Sequence, residues 1–398
     1  MGKYRLLVLA SHPIQYRTPL YRFLSKQSWL DLEVWYGDTY GVIPRKSRWG
    51  VNDFTWDGDQ LSGYRSRFLK NINPRPNPST FLGRINPEII RGIRRYKPDA
   101  VWISGYNTLH GWFCFLSSWR NDIPILYSSD SNFLTEAKGL KKFIKRRIIG
   151  KLYKSIGAFL VSGTTNENHY KLYNVPQSKC FFVPWAVDND YFQQKSDIAR
   201  GVRQELRKKW GIPERDDVLL FVGRLVNTKR PQDLIHVATL LQDSYVVFSG
   251  SGPLENELKT LAEKYIPGRC IFLGFQNQAR LPEIYATADL LVLPSSFEPW
   301  GLVVNECLAA GTPVVASRSV GAAYDLVPEE MRFEPRNIQD ICSAVTFWRR
   351  LRRQHCNMTE WARNKVSAFS FQEDARGFFR ALTHVSSNSN LLEGNSLK

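Results

Sequence analysis

The sequence predicts an α/β protein of two doubly wound domains facing a common cleft. Short apolar runs of strand length alternate with helical patterns, and that alternation restarts once after a charged stretch around 193–217. At 398 residues the chain is long enough for two domains of ordinary size. Its 43% hydrophobic and 23% charged residues are the balance of a chain that buries a core, which excludes global disorder and a collagen-like repeat.

Tyr4 to Ala10 is a leucine-rich run that reads as a buried strand, followed by the loop Ser11-His12-Pro13-Ile14-Gln15. Thr18-Pro19 reads as an N-cap and first-turn proline opening a helix through Leu24. Leu30 to Tyr36, Ala100 to Ser104, Ile123 to Ser128 and Ala158 to Ser162 are further strands with helical patterns between them. After the charged stretch come strands at Val218 to Gly223, Ser244 to Gly250, Cys270 to Gly274, Asp289 to Pro294 and Pro313 to Ser317. Helices are expected over Pro231 to Leu241 and Pro253 to Tyr265, and from Leu281 and Gly301. The Ser/Asn-rich residues 386–398 read as a disordered tail.

No apolar run approaches the roughly 18–20 residues that span a bilayer. Leu6 to Ala10 is too short for a secretory core, and Leu6 stands where a myristoylation signal has Ser or Thr, so a soluble, non-secreted, cytoplasmic protein is expected. The six cysteines form no Cys-x-x-Cys pair, so neither a structural zinc site nor a redox motif is expected. The net charge of +17 calls for an anionic partner, whether nucleic acid, a membrane face or a phosphorylated small molecule. Lys138, Lys141, Lys142, Lys145, Arg146, Arg147, Lys151 and Lys154 alternate with Leu140, Phe143, Ile144, Ile148, Leu152 and Tyr153 at nearly helical spacing. That pattern is a basic amphipathic helix over 138–154, either lying on anionic headgroups or turning a solvated face outward from the core.

In open α/β sheets ligands sit outside the carboxyl ends of the strands. The densest chemistry there is Phe297-Glu298-Pro299-Trp300-Gly301-Leu302-Val303-Val304-Asn305-Glu306. Gly301 permits close backbone approach, and the first amides of the helix that follows suit a phosphate. Glu298 is placed to accept hydrogen bonds from sugar hydroxyls and Glu306 to bind a ribose diol; the alternative is a helix cap and a solvated face residue. Arg224 and Lys229 follow a buried strand, either to hold a diphosphate as its charge develops or as ordinary surface cations.

These pieces resemble the donor-binding domain of the retaining GT-B glycosyltransferases of glycosyltransferase family four. Gly223-Arg224-Leu225 with Lys229, Ser249-Gly250-Ser251-Gly252-Pro253, Phe272-Leu273-Gly274-Phe275, Ala288-Asp289-Leu290, Leu293-Pro294-Ser295 and the pair Glu298 and Glu306 follow one another in that family's order. The likeness is strong over 216–327. It is weaker in the first half, through Ser11-His12-Pro13-Ile14-Gln15-Tyr16 and Val183-Pro184-Trp185-Ala186-Val187-Asp188. It implies GT-B architecture: an acceptor-binding Rossmann-like domain over 1–195, onto which 366–385 cross back, and a nucleotide-sugar-binding one over 196–365. It further implies that Arg224 and Lys229 bind the donor diphosphate, Glu298 the donor sugar and Glu306 the ribose. Gly301, Leu302 and Val303 would contact the sugar-phosphate through backbone, and Gly223, Gly250 and Phe275 would line the nucleotide. Transfer is then expected with retention, from a nucleotide-diphosphate sugar (UDP preferred) to a saccharide, glycolipid or small-molecule acceptor, with no cofactor and no metal.

Three departures from the family pattern stand out. His12-Pro13-Ile14-Gln15 replaces a two-glycine loop, Ser129-Asp130-Ser131 stands where many relatives have a His, and Val320-Gly321-Ala322-Ala323-Tyr324-Asp325 replaces a glycine-rich turn bearing a glutamate. His12, Gln15 and Asp130 are therefore the acceptor-side candidates, while His110, His169, His236, His355 and His384 have no metal-ligand grouping and read as structural. Asp188-Asn189-Asp190 matches a metal-binding tripeptide of glycosyltransferases of another fold. The rival functions are a sugar-nucleotide epimerase of similar shape, a degenerate sugar-nucleotide binder and a basic nucleic-acid-binding protein. No nucleic-acid partner is expected, because no such module signature occurs.

Overall fold

The structure, a computed structural model, describes residues 2–44, 55–77, 80–132, 140–354 and 357–395, without the side chains of 140–145 and 388–395. Lys138, His355 and Cys356 lie outside the described residues. The described residues form two compact units, the second being Trp185–Ser370 and the first comprising the described residues before it and those from Phe371 onward. Position 195, where the sequence places the boundary, falls inside a helix of the second unit.

In the first unit the elements are β1 (Tyr4–Ala10), α1 (Thr18–Ser25), β2 (Leu30–Tyr36), β3 (Arg65–Phe68), α2 (Glu88–Tyr96), β4 (Ala100–Ser104) and α3 (Leu109–Arg120). Then come β5 (Ile125–Ser128), α4 (Leu140–Lys154), β6 (Ala158–Val161), α5 (Thr164–Leu172) and β7 (Cys180–Phe182). Among the described residues the sheet has seven parallel strands in the order β3-β2-β1-β4-β5-β6-β7. Leu6 to Leu9 are at most 4% exposed because β1 is paired on both edges and covered on both faces, which is why its apolar run is unbroken.

Several details differ from the sequence expectations. Thr18 is the first helical residue rather than the cap, and its hydroxyl donates to Gln60 Oε1 at 2.9 Å. The strand expected from Ile123 begins at Ile125, after Pro124, which has no N–H for the ladder. β3 carries exposed cations at the sheet edge and gives no alternating signal. On α4, Ile149, Leu152 and Tyr153 face the core while Ile148 is 57% exposed, so the apolar stripe is narrower than the sequence pattern drew it.

The second unit holds α6 (Asn189–Gly201), α7 (Arg203–Lys209), β8 (Asp217–Val222), α8 (Gln232–Leu240), β9 (Ser244–Ser249), α9 (Glu255–Tyr265) and β10 (Cys270–Gly274). It continues with α10 (Leu281–Thr287), β11 (Leu290–Leu293), α11 (Leu302–Ala309), β12 (Val314–Ser317), α12 (Ala323–Leu326), β13 (Arg332–Phe333), α13 (Ile338–Gln354) and α14 (Met358–Val366). Its parallel sheet runs β10-β9-β8-β11-β12-β13. The chain then returns to the first unit as α15 (Phe371–Asn395), which extends through most of the positions whose composition implies disorder. Phe378 on α15 packs edge-on to Trp102 at 4.7 Å. Gly377 is obligatory, since a Cβ there would lie 2.0 Å from the Phe182 carbonyl oxygen.

The charged stretch around 193–217 is not a linker: it forms the last part of α6 and all of α7. Two of its cations pair with Asp289, which accepts from Arg203 at 2.6 Å, from the buried Arg207 and from the Val218 amide at 2.8 Å. Burial pushes the Asp289 carboxyl up, but Arg203 and Arg207 outweigh it and hold the carboxyl below its ordinary value. The stabilisation is therefore present above the ordinary carboxylate pKa and is lost as pH falls through the depressed one. Replacing Asp289 by Ala strands Arg207 in the core and is expected to cost about 3 kcal/mol, read as a lower urea midpoint at unchanged slope.

Candidate functional site

In the second sheet the strand order reverses between β8 and β11, and the crevice at such a reversal is where open α/β sheets bind ligands. The loops on its two sides are 223–229, after β8, and 294–301, after β11. They hold Gly223, Arg224 and Lys229 on one side and Glu298 and Gly301 on the other, so the sequence-chosen residues meet at one place in the sheet.

Glycines set the spacing of this edge. A Cβ on Gly250 would lie 1.8 Å from the Gly223 carbonyl oxygen, and one on Gly252 would lie 2.4 Å from that of Leu225. The loops after β8 and β9 therefore touch backbone to backbone, joined by Gly223 N–H to the Ser249 carbonyl at 3.0 Å and Leu225 N–H to the Ser251 carbonyl at 3.0 Å. Gly250 N–H in turn donates to the Gly274 carbonyl at 2.8 Å, which ties in the loop that begins with Phe275.

Lys229 and Glu298 form a direct ion pair, with side chains 22% and 17% exposed. Backbone fixes both ends of it. Ser296 N–H donates to the Thr228 carbonyl at 2.9 Å, Glu298 N–H to the Ser319 carbonyl at 3.1 Å, and Gly321 N–H to the Glu298 carbonyl at 3.0 Å. Desolvation, with the neighbouring Arg224 cation adding to it, pulls the Lys229 ammonium down to about 8. Arg224 itself is exposed.

Gly301 is the N-cap of α11, at φ 99°, and no side chain caps the helix, so Glu298 is not a cap. A Cβ on Gly301 would meet Glu298 Cγ at 3.1 Å and Val320 at 3.3 Å. The first amides of α11, those of Leu302 and Val303, have no carbonyl within the helix to bond and carry its positive dipole end. Glu306 is 7% exposed, which overturns the solvated-face alternative. Its Oε2 accepts from the Tyr285 hydroxyl at 2.7 Å, and burial pushes its carboxyl up to about 7 against that bond. The straps through Thr228, Ser319 and Gly321 and the Tyr285 partner left no signal in the sequence.

In the first unit, His12 and Gln15 follow β1 and Asp130 follows β5, all at the carboxyl edge of one sheet. His12 Nδ1 shares a hydrogen bond with Ser11 Oγ at 2.9 Å, and its ring meets Tyr40 edge-on at 5.2 Å. Gln15 Oε1 is buried without a hydrogen-bond partner among the described residues. Asp130 is exposed overall, yet its carboxyl is crowded enough that desolvation pushes it up, with Arg17 opposing. Asn166 Nδ2 donates to the Ser129 carbonyl at 3.2 Å and the Ser131 carbonyl at 2.7 Å, fixing the loop on both sides of Asp130.

Residues outside these groups have structural partners. His110 is buried, bonded through Nδ1 to Asn86 Oδ1 at 2.8 Å, and burial pulls it down to about 3. Asp188 of the Asp-Asn-Asp tripeptide caps α6 by accepting from the Tyr191 amide at 3.0 Å. Among the described residues no group of three or more His, Cys, Asp or Glu side chains is placed to hold a metal ion.

Residues 202–365 match the family described as glycosyl transferases group 1. An uncharacterized glycosyltransferase of Methanocaldococcus jannaschii is 30% identical over 233 residues, 55% of this chain and 55% of that protein. A sulfoquinovosyl transferase of Arabidopsis thaliana is 28% identical over 283 residues, 66% of this chain and 52% of that protein. The chain thus spans about half the length of these relatives. Among solved structures, a glycosyltransferase of Rickettsia africae matches with TM-score 0.72 and 15% identity, over 98% of this chain and 100% of that one. The HepE protein of Anabaena, solved with UDP and glucose, matches with TM-score 0.68 and 15% identity over 95% and 99%. The expected fold of two Rossmann-like α/β units, in GT-B architecture, is the one these structures share.

The contact at Gly250 makes Gly250→Ala destabilising by ~2 kcal/mol, seen as a lower melting temperature. The two shifted groups give a pH dependence. Glu306 is ionised above pH about 7 and Lys229 keeps its charge below pH about 8, so the crevice carries both charges only between them. NMR titration across pH is expected to show both steps, and Glu306→Gln to remove the lower one alone.

Proposed function

We propose that this chain, related through residues 202–365 to the group 1 glycosyl transferases, is a retaining glycosyltransferase that needs no resident metal. It moves a sugar from a nucleotide-diphosphate sugar to a saccharide, glycolipid or small-molecule acceptor. The observation that carries this is the Lys229–Glu298 pair in the β8/β11 crevice, beside the uncapped N-terminus of α11. A bare anion site would have no use for a carboxylate there, whereas a sugar attached to a phosphate has hydroxyls for Glu298 and charge for Lys229.

In this reading the donor diphosphate takes Lys229 from Glu298, joins Arg224 and the Leu302 and Val303 amides, and leaves Glu298 to the sugar hydroxyls. The sugar C1–O bond breaks with its electron pair passing to the diphosphate, whose growing charge those cations stabilise. The acceptor hydroxyl bonds C1 from the same face and its proton passes to the departing phosphate oxygen. Glu306 binds the ribose, Gly223, Gly250 and Phe275 line the nucleotide, and His12, Gln15 and Asp130 orient the acceptor. UDP is the favoured nucleotide, supported by the UDP bound to the Anabaena relative of like fold. The same reading has the protein cytoplasmic, attached peripherally to an anionic inner membrane face through the basic residues of 138–154, whose described part is α4.

A thermal-shift screen against UDP-, GDP-, ADP- and dTDP-sugars tests the donor site. One nucleotide family should raise the melting temperature equally with and without EDTA, and no shift with any of them would overturn the proposal. In a transfer assay, Glu298→Gln and Lys229→Ala should each lower turnover by about 100-fold or more at unchanged melting temperature, and wild-type turnover in both would reject the site.

A further inference from the structure

The last two turns of α4 and the chain segment that follows α5 enclose a groove of about 520 Å³, within the range of about 300–1,000 Å³ usual for small-ligand sites. Arg146, Arg147, Lys151, Lys154 and Lys179 line it, with Tyr153 and Tyr173, and among the described residues no carboxylate does. Glu167 on the neighbouring α5 is paired with Lys171 at 2.9 Å. Two of the cations are anchored by backbone carbonyls: Arg146 donates to that of Leu172, and Lys179 Nζ donates to that of Ile156 at 2.8 Å. A carbonyl holds a cation in place without cancelling its charge. Lys151 and Lys154 are exposed and make no hydrogen bond or ion pair among the described residues. A helix C-terminus favours cations in its last turn, but that accounts for Lys151 and Lys154 only, not for Lys179 from a separate segment.

The groove also lies away from the candidate acceptor residues. α4 ends three residues before β6 begins, and Lys179 immediately precedes β7, so the groove is at the amino edge of this parallel sheet. His12, Gln15 and Asp130 are at its carboxyl edge.

We propose that this groove is a second ligand site that takes a phosphomonoester or diphosphate group, supplied by an anionic lipid headgroup or by a soluble phosphate compound. As to the lipid source it deepens the peripheral-attachment reading and rests on it. A flat basic helix responds to surface charge alone, whereas a concave set of cations from two segments distinguishes a dianionic monoester from a monoanionic diester. The exposed Ile148, on the solvent side of α4, is the apolar contact that a lipid source would use.

The test is vesicle flotation of the full chain with phosphatidic acid or phosphatidylglycerol at matched surface potential, together with thermal shift by inorganic pyrophosphate. Phosphatidic acid vesicles should bind at least tenfold more tightly, and Lys151→Ser with Lys154→Ser should weaken that binding about thirtyfold. Lys208→Ser with Lys209→Ser, the same charge removed from the other unit, should leave it unchanged, and both double variants should keep the nucleotide-induced thermal shift. Equal binding to both lipids, still lost in the groove variant, would overturn the groove while membrane attachment stands. A pyrophosphate shift lost in the groove variant, with no vesicle binding, would support the groove and reject the lipid source. Binding of a short RNA that phosphatidic acid vesicles fail to displace would overturn the proposal.

Discussion

The second unit depends on one close approach, that of the Gly250 backbone to the Gly223 carbonyl. Parallel strands must leave the sheet at one edge, and their loops compete there for space. With a side chain at Gly250 the loops after β8 and β9 would be pushed apart, and the chain of amides from Gly223 to Ser249 and from Gly250 to Gly274 would open. Because the contact is between backbones, the loop that carries Arg224 and Lys229 has a position independent of side-chain rotamers. Conformational freedom at glycine is usually a cost, and here it yields rigidity.

On that platform the charges are arranged in opposition. Lys229 is desolvated beside Arg224, which disfavours its proton, and is offset by Glu298 across the crevice. Two cations with one carboxylate leave the crevice net positive, and the uncapped α11 terminus adds to it. Glu306, one helical turn further in, is desolvated enough to titrate near neutrality. In the proposed reading the crevice takes a ligand that is anionic at its centre and hydroxylated at its ends, with protonation balanced close to physiological pH.

The first unit has the same sheet logic with different chemistry at its two edges. Polar side chains with hydrogen-bonding capacity gather at the carboxyl edge, where Asn166 stiffens the loop around Asp130. Cations held by carbonyls gather at the amino edge. A parallel sheet separates these two groups of side chains in space because each strand has one direction and all of them share it.

The sequence by itself determined the strands of both sheets other than β3, β7 and β13, and it singled out the candidate site residues. Fully buried parallel strands require unbroken apolar runs, and glycines are visible as letters; Gly223, Gly250 and Gly301 were legible in that way, and Arg224, Lys229 and Glu298 as charges in the loops after such strands. Only the tertiary structure decided what depends on partners distant in the chain. α7 is held to the sheet because Asp289 pairs with its Arg203 and Arg207, Glu306 became buried because Tyr285 meets it, and β3 became a strand because β2 offered it an edge. Nor does Lys179 announce that it shares a groove with α4, because the distance between them is set by the sheet rather than by the sequence. Local pattern records what a residue needs from its own segment; charge, burial and concavity are properties of segments brought together.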